Sequence, residues 1–213
     1  MKVMILAAGR GVRMGELTQN CPKPLLPVRG KALIEHHIER LAAAGFRDLV
    51  INHAYLGDQI VAKLGDGSKW GVEIQYSAEP EGAYETGGGI REALPLLGEE
   101  PFMVLSSDIW TDYPFEQLPT SPEGLAHIVL VPNPEHVPGG DFGLEQGRLT
   151  LNPPRWTYSG LGVFRPEFIR LDPRTHFGLG DLLRQHIPNK YLSGEVYEGV
   201  WSDIGTPARY AAV

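Results

Sequence analysis

The chain has 213 residues, a formal net charge of −7 and a single cysteine. That gives room for one large domain or a domain with a small lid. It excludes an internal disulfide framework and a cysteine-based zinc site, and it argues against the basic face that general nucleic-acid binding needs. No run of about twenty apolar residues marks a transmembrane helix. Met1-Lys2 leads straight into a strand-like run without the length or cleavage site of a signal peptide, so a cytoplasmic location is expected.

In chain order, Val3 to Leu6 predicts a buried strand that breaks into a loop with Gly9 and Gly11, followed by Arg13 and then by Lys23 between Pro22 and Pro24. Small residues let backbone N–H groups converge on phosphate oxygens, because no Cβ blocks the approach. Leu6, Ala7, Ala8, Gly9, Gly11 and Val12 are therefore candidate nucleotide contacts. Arg13 can clamp a terminal phosphate with two bonds, and Lys23 can act as a fixed point charge. In an acidic chain these two and Arg10 are the cations placed to draw in an anionic substrate. Neither the Walker A spacing nor the Rossmann glycine pattern is met. Taken singly, glycines after a strand are turn punctuation and Pro-Lys-Pro is an extended surface segment. Cys21 reads as a small packed loop residue.

Leu33 to Ala44 has helical apolar spacing, with Gly45 as its C′ residue. Leu49 to Asn52, Val72 to Tyr76 and Phe102 to Leu105 read as buried strands, with helices near Asp58 to Leu64 and Gly88 to Leu97 between them. The alternation predicts an α/β fold with a mostly parallel sheet and ligands at the carboxyl ends of its strands. Glu79 to Gly89, EPEGAYETGGG, opens a helix whose first N–H groups would be free to meet a base or ribose; a flexible helix start is the equal alternative. Asp108 follows a buried strand, and Asp203 lies at the edge of a second strand-like run. Two isolated carboxylates in a phosphate site suit Mg²⁺, although an aspartate at a strand end is more often a cap or Asx-turn.

Farther along, Ala126 to Val131 and Leu161 to Phe164 are strand-like, and Phe142 to Leu151 predicts a hairpin turning at Gln146-Gly147. Pro132 to Gly140 is the most loop-like segment, and a helix near Leu179 to His186 precedes a last strand near Glu195 to Trp201. His53 could face the site, and no histidine has metal-ligand spacing with a partner. Trp110, Tyr113 and Trp156 read as packing residues and not as a base-stacking platform.

Taken together, Ile5 to Pro27, ILAAGRGVRMGELTQNCPKPLLP, resembles the signature of the sugar-1-phosphate nucleotidyltransferases, GxGxRxxPLTxxxPKPLxPV. Gly15-Glu16 stands where that family commonly has a residue followed by proline, and Ser107 stands where it commonly has glycine before the aspartate. The resemblance spans nearly the whole chain. It implies the nucleotide-diphospho-sugar transferase fold, a Rossmann-like, mostly parallel mixed sheet flanked by helices. One domain of residues 1–213 would have a nucleotide-binding half to about residue 110 and a sugar-binding half beyond it.

It also implies roles. Asp108 and Asp203 match the family's two Mg²⁺-binding aspartates, and Lys23, Arg13 and Asp108 would be catalytic. Glu79, Thr86, Gly87 and Gly88 fall in the loop the family uses for the base. The segments INHAYLGDQI, GDGSKWGVEIQYS, ETGGGI, WTDY and NPEHVPGGDF resemble members of cell-wall recycling that use UTP and N-acetylmuramate 1-phosphate, with Ser106, Asp141 and Gly160 lining the sugar side. The implied reaction joins these substrates and releases pyrophosphate. Guanylyl or thymidylyl transfer to mannose or glucose 1-phosphate is the nearer alternative. A non-catalytic nucleotide-binding regulatory module is the farther one, but it should have lost Lys23, Asp108 or Asp203, and all three are present. Because the chain ends soon after Asp203, no acetyltransferase repeat domain is expected.

Overall fold

Val3, Met4 and Ile5 are wholly buried because strand β1 (Val3–Leu6) lies mid-sheet with a layer packed on each face. A strand covered on both faces reads as a continuous apolar run and not as an alternation. The computed structural model describes residues 1–189 and 191–213. After β1 come a small hairpin, β2 (Pro27–Val28) and β3 (Lys31–Ala32), and helix α1 (Leu33–Ala43). The series β4 (Asp48–His53), α2 (Gly57–Leu64), β5 (Glu73–Ala78), α3 (Glu85–Leu97) and β6 (Phe102–Ser106) completes the first half. The second half holds β7 (Ile109–Thr111), β8 (Ala126–Val131), β9 (Phe142–Glu145), β10 (Arg148–Thr150), β11 (Arg155–Phe164), α4 (Pro166–Arg170), α5 (Leu179–His186), β12 (Leu192–Val196), β13 (Trp201–Asp203) and α6 (Pro207–Ala211).

Among the described residues the main sheet has nine strands in the order β5-β4-β1-β6-β11-β8-β12-β10-β9. Strands β5, β4, β1 and β6 are parallel, as the alternating pattern predicts. Beyond them β11 runs antiparallel to both β6 and β8, and β12 pairs parallel with β8. One sheet therefore runs through both halves of the chain. The pleat sends Val3 and Ile5 to the layer under α1 and α2, where Ile34, Ile38, Leu41 and Ile60 meet them. Met4 faces the other layer, with Ile90, Leu94, Phe168 and Leu182 from α3, α4 and α5. Among the described residues no helix is long and apolar enough to cross a membrane.

Local chemistry explains most boundaries. Helix α1 ends on Gly45 at φ 91°, with the Phe46 N–H bonded to the Leu41 carbonyl. The β9–β10 turn has Gln146 at φ 51° and Gly147 at φ 76°, the two positive values that a tight hairpin demands.

One expectation is corrected. Glu195 to Trp201 is not one strand: β12 stays in the main sheet, while β13 leaves it to pair with β7. The chain turns between them at Gly199, where a Cβ would strike the Tyr197 ring, and Asp112 Oδ1 accepts from the Val200 N–H at 2.7 Å.

Candidate active site

The loop after β1 is folded around the stem of Lys23. Gly11, at φ 68°, lies so close that an added Cβ would sit 3.2 Å from the Lys23 Cβ, and the Gly11 carbonyl accepts from Thr18 Oγ1 at 3.0 Å. The following 3-10 turn, Val12–Thr18, is kinked at Gly15, with φ 60° and ψ −128°. Gly15 thus takes a left-handed backbone shape that favours glycine, just before Glu16, the residue that stands where the family commonly has proline. Lys23 opens a second short 3-10 turn, Lys23–Leu25, instead of lying extended. Its side chain is 9% exposed, and Nζ donates to Asp108 Oδ2 at 2.6 Å.

The two aspartates are brought together by a ladder of two short strands. In the β7–β13 pairing Asp203 sits opposite Ile109, and the Ile204 N–H donates to the Asp108 carbonyl at 2.7 Å. Asp203 is flanked by Arg209, with Nη2 at 2.8 Å from Oδ2, and by His136, with Nε2 at 3.0 Å from Oδ1. Neither contact has hydrogen-bond alignment, so Oδ1 is sealed from solvent without a donor. Such an orphaned buried oxygen is costly and calls for a partner that is absent from the protein itself.

Two adjoining cavities open at the carboxyl ends of the strands. The larger, about 540 Å³, is walled by residues 6–13, Lys23, Asn52, Glu79 and the 81–86 segment. The smaller, about 380 Å³, is walled by His136, Tyr158, Gly160, Trp201 and Asp203. Leu6, Arg13, Thr86, Ser106 and Asp108 line both, so the Arg13 and Asp108 side chains stand where the two meet. Gly160, at φ 82°, keeps this junction open, since a Cβ there would lie 2.6 Å from Ser106 Oγ. The volumes suit two small polar ligands side by side.

Across the larger cavity, Asn52 Nδ2 donates to Glu79 Oε1 at 2.6 Å, and burial pushes the Glu79 carboxyl above its usual range. At the rim, Arg10 is paired with Glu81 at 2.9 Å and stacks over Tyr55, so it belongs to the mouth and not to the floor.

Most of the residues expected from sequence line the cavities; two glycines and one acid do not. Gly87 and Gly88 are not at the wall, and their amides are not free, because both donate to the Phe177 carbonyl, at 2.9 and 3.1 Å. An added Cβ would strike Phe177 from Gly87 and the Thr175 carbonyl from Gly88, so these glycines let α3 pack against residues 175–178. Asp141 lines neither cavity. Its Oδ2 accepts from the Tyr158 N–H at 2.9 Å and its Oδ1 from Arg184 at 3.2 Å, which ties the start of β9 to β11. His53 also points away, packed against Gly57 at the start of α2.

Three residues escaped the sequence reading: Asn52, His136 and Arg209. Asn52 resembled an ordinary strand end, and only the NPEHVPGGDF segment gave any hint of His136.

Comparison with known proteins agrees with this geometry. Residues 2–143 match the nucleotidyl transferase family. The chain is 48% identical, over 98% of its own length and 95% of the relative's, to N-acetylmuramate alpha-1-phosphate uridylyltransferase of Neisseria meningitidis serogroup B. It is 34% identical to the protein of the same name in Caulobacter vibrioides, over 98% and 94% of the two lengths. Among solved structures, the inositol-1-phosphate CTP transferase of T. maritima has a TM-score of 0.81 over 98% of this chain and 90% of that one, at 15% identity, a likeness of fold alone.

Proposed function

Because the chain belongs to the nucleotidyl transferase family, we propose that it joins UTP and N-acetylmuramate 1-phosphate to give UDP-N-acetylmuramate and pyrophosphate. The observation that carries the chemistry is the Lys23–Asp108 pair, reaching the junction of two adjoining cavities. The near-full-length identity to the Neisseria relative supports the choice of base and sugar.

UTP would lie in the larger cavity with its phosphates along residues 6–13, and the sugar phosphate in the smaller one. This reading keeps a nucleotide-binding half to about residue 110 and a sugar-binding half beyond it. A phosphate oxygen of the sugar 1-phosphate attacks the α-phosphorus, the bond from that phosphorus to the bridging oxygen breaks, and pyrophosphate leaves. No covalent enzyme intermediate is needed; catalysis consists of alignment and charge neutralisation. Lys23, rigid and nearly buried, stabilises charge on the transferring group, while Arg13 meets the departing pyrophosphate. Ser106 and Gly160 shape the sugar side.

The residues present fit Mg²⁺. Asp108 and Asp203 offer two carboxylates beside a phosphate site, and Asp203 Oδ1 is a sealed oxygen without a hydrogen bond. Bound there, Mg²⁺ would neutralise phosphate charge and polarise the α-phosphoryl group. Lys23 holds Asp108 through its hydrogen bond, and Arg209 and His136 stand beside Asp203. With these substrates the proposed reaction belongs to the recycling of cell-wall sugars, in the cytoplasm.

A pyrophosphate-release screen of four nucleoside triphosphates against a panel of sugar 1-phosphates tests the assignment. UTP with N-acetylmuramate 1-phosphate should lead. Better use of GTP with mannose 1-phosphate would overturn the substrates while leaving the transfer chemistry standing, and no turnover of any pair would overturn both.

A further inference from the structure

We propose that Asn52 sets the base preference of the nucleotide cavity, by tying one oxygen of Glu79 so that the carboxylate offers the base edge a single acceptor. The inference rests on the reading that a uridine nucleotide occupies this cavity.

Asn52 is the penultimate residue of β4, level with Leu6 of β1 and Ser77 of β5, and is 3% exposed. Its Oδ1 accepts from the Ala7 N–H at 2.8 Å, and its Nδ2 donates to Glu79 Oε1 at 2.6 Å. The amide cannot be turned over, since the reverse orientation would set its NH₂ against the Ala7 N–H and its oxygen against a carboxylate. Glu79 is fixed as well, because its own N–H donates to the His53 carbonyl at 2.8 Å. Gly89 of α3 closes over the pair; a Cβ there would lie 2.5 Å from Glu79 Oε1 and 3.0 Å from Asn52 Nδ2. Glu79 Oε2 has no hydrogen-bond partner among the described residues and is not sealed, in a side chain that lines the larger cavity.

One bare carboxylate oxygen selects among bases by donor count. Uracil presents a single N3–H between two carbonyls and is satisfied by one acceptor. Guanine presents N1–H beside an exocyclic NH₂, a pair of donors that a carboxylate with both oxygens free would take together. With Oε1 held against Asn52 and covered by Gly89, it is turned from the base edge, so one guanine donor goes unpaired, a mismatch that a buried site rejects strongly. Cytosine offers a lone pair at N3, which faces the carboxylate oxygen unfavourably. Asn52 is thus a positioning residue acting through Glu79.

The test is nucleotide selectivity of the full-length protein, read as ratios of kcat/KM with N-acetylmuramate 1-phosphate, because a ratio cancels general damage. Glu79→Gln is isosteric. Asn52 still donates to its oxygen, so the amide NH₂ replaces the bare oxygen and an acceptor becomes a donor. The UTP-to-CTP ratio should fall by at least about 10-fold, and CTP use should rise in absolute terms. Asn52→Ala frees both Glu79 oxygens, and the GTP-to-UTP ratio should rise by about 10-fold or more. Thermal unfolding reports whether Asn52→Ala folds; if it does not, the Glu79→Gln arm decides. Wild-type ratios in Glu79→Gln, or an equal loss on all nucleotides in both variants, would overturn the inference. Failure of the wild type to prefer UTP would instead overturn the uridine reading, and this inference with it.

Discussion

Replacing Lys23 by methionine keeps the length of its side chain and removes only the charge. In the free protein Nζ is 2.6 Å from Asp108 Oδ2, and the lysine is 9% exposed against 38% for the aspartate. The stability cost should be small, because the half-exposed carboxylate can rehydrate; an ion pair of this exposure contributes under about 1 kcal/mol. For a chain of this size that corresponds to a Tm shift of about 2–4 °C. The catalytic cost should be large. At an effective dielectric of about 20, a unit charge 3 Å from a phosphoryl oxygen interacts by roughly 5 kcal/mol, part of which is offset by desolvation. Removing one preorganised donor from a transition state typically loses about 3–4 kcal/mol, or about 10²- to 10³-fold in kcat. Steady-state kinetics with varied UTP, beside a thermal melt, separates the two costs. The expected result is a fall in kcat with KM for UTP within a few-fold of wild type. A raised KM at unchanged kcat would make Lys23 a ground-state clamp and refute the transition-state argument.

Further outcomes follow from the same contacts. Asp108→Asn and Asp203→Asn should each lower turnover by about 10²-fold or more while the fold survives, and wild-type activity should vanish in excess chelator; full activity in any of these cases removes the metal assignment. Gly88→Ala should destabilise by about 1–3 kcal/mol, because its Cβ meets the Thr175 carbonyl, yet leave KM for UTP unchanged in the folded fraction; a selective rise in KM would return Gly88 to the nucleotide site. The Arg174 hydrogen bonds hold the Asp172 carboxyl down at about 2 from an ordinary 3.8. A lowered carboxyl stabilises the fold above the ordinary value and loses that contribution as pH falls through about 2. Arg174→Gln should therefore move the acid-unfolding midpoint upward, and an unchanged midpoint refutes the linkage.

The fold was legible wherever burial imposes a period. Val3–Leu6, Ala126–Val131 and Leu179–His186 lie where the apolar spacing puts them. Strands β7 and β13 are three residues each and carry no period, so the switch of chain between sheets after Val196 left no trace in the sequence. The same limit applies at the site. The cavity-lining loop and the Lys23, Asp108 and Asp203 side chains could be picked out from local chemistry and resemblance. Gly87 and Gly88 could not be judged locally, because the groups that claim their amides lie at residues 175–178. Asp141 looked free until Tyr158 and Arg184 took both of its oxygens. Asn52 acquires meaning only from Ala7 and Glu79, 45 and 27 residues away along the chain.

The central claim is that an oxygen of the sugar phosphate attacks the α-phosphorus of UTP across the junction of the two cavities. Isotopic labelling tests it directly. With N-acetylmuramate 1-phosphate carrying ¹⁸O in its phosphate, the account predicts that all of the label appears in UDP-N-acetylmuramate, that one of the labelled oxygens bridges the two phosphorus atoms, and that the pyrophosphate is unlabelled. Label in pyrophosphate or in free phosphate, or release of pyrophosphate from UTP without a nucleotide sugar, would contradict it.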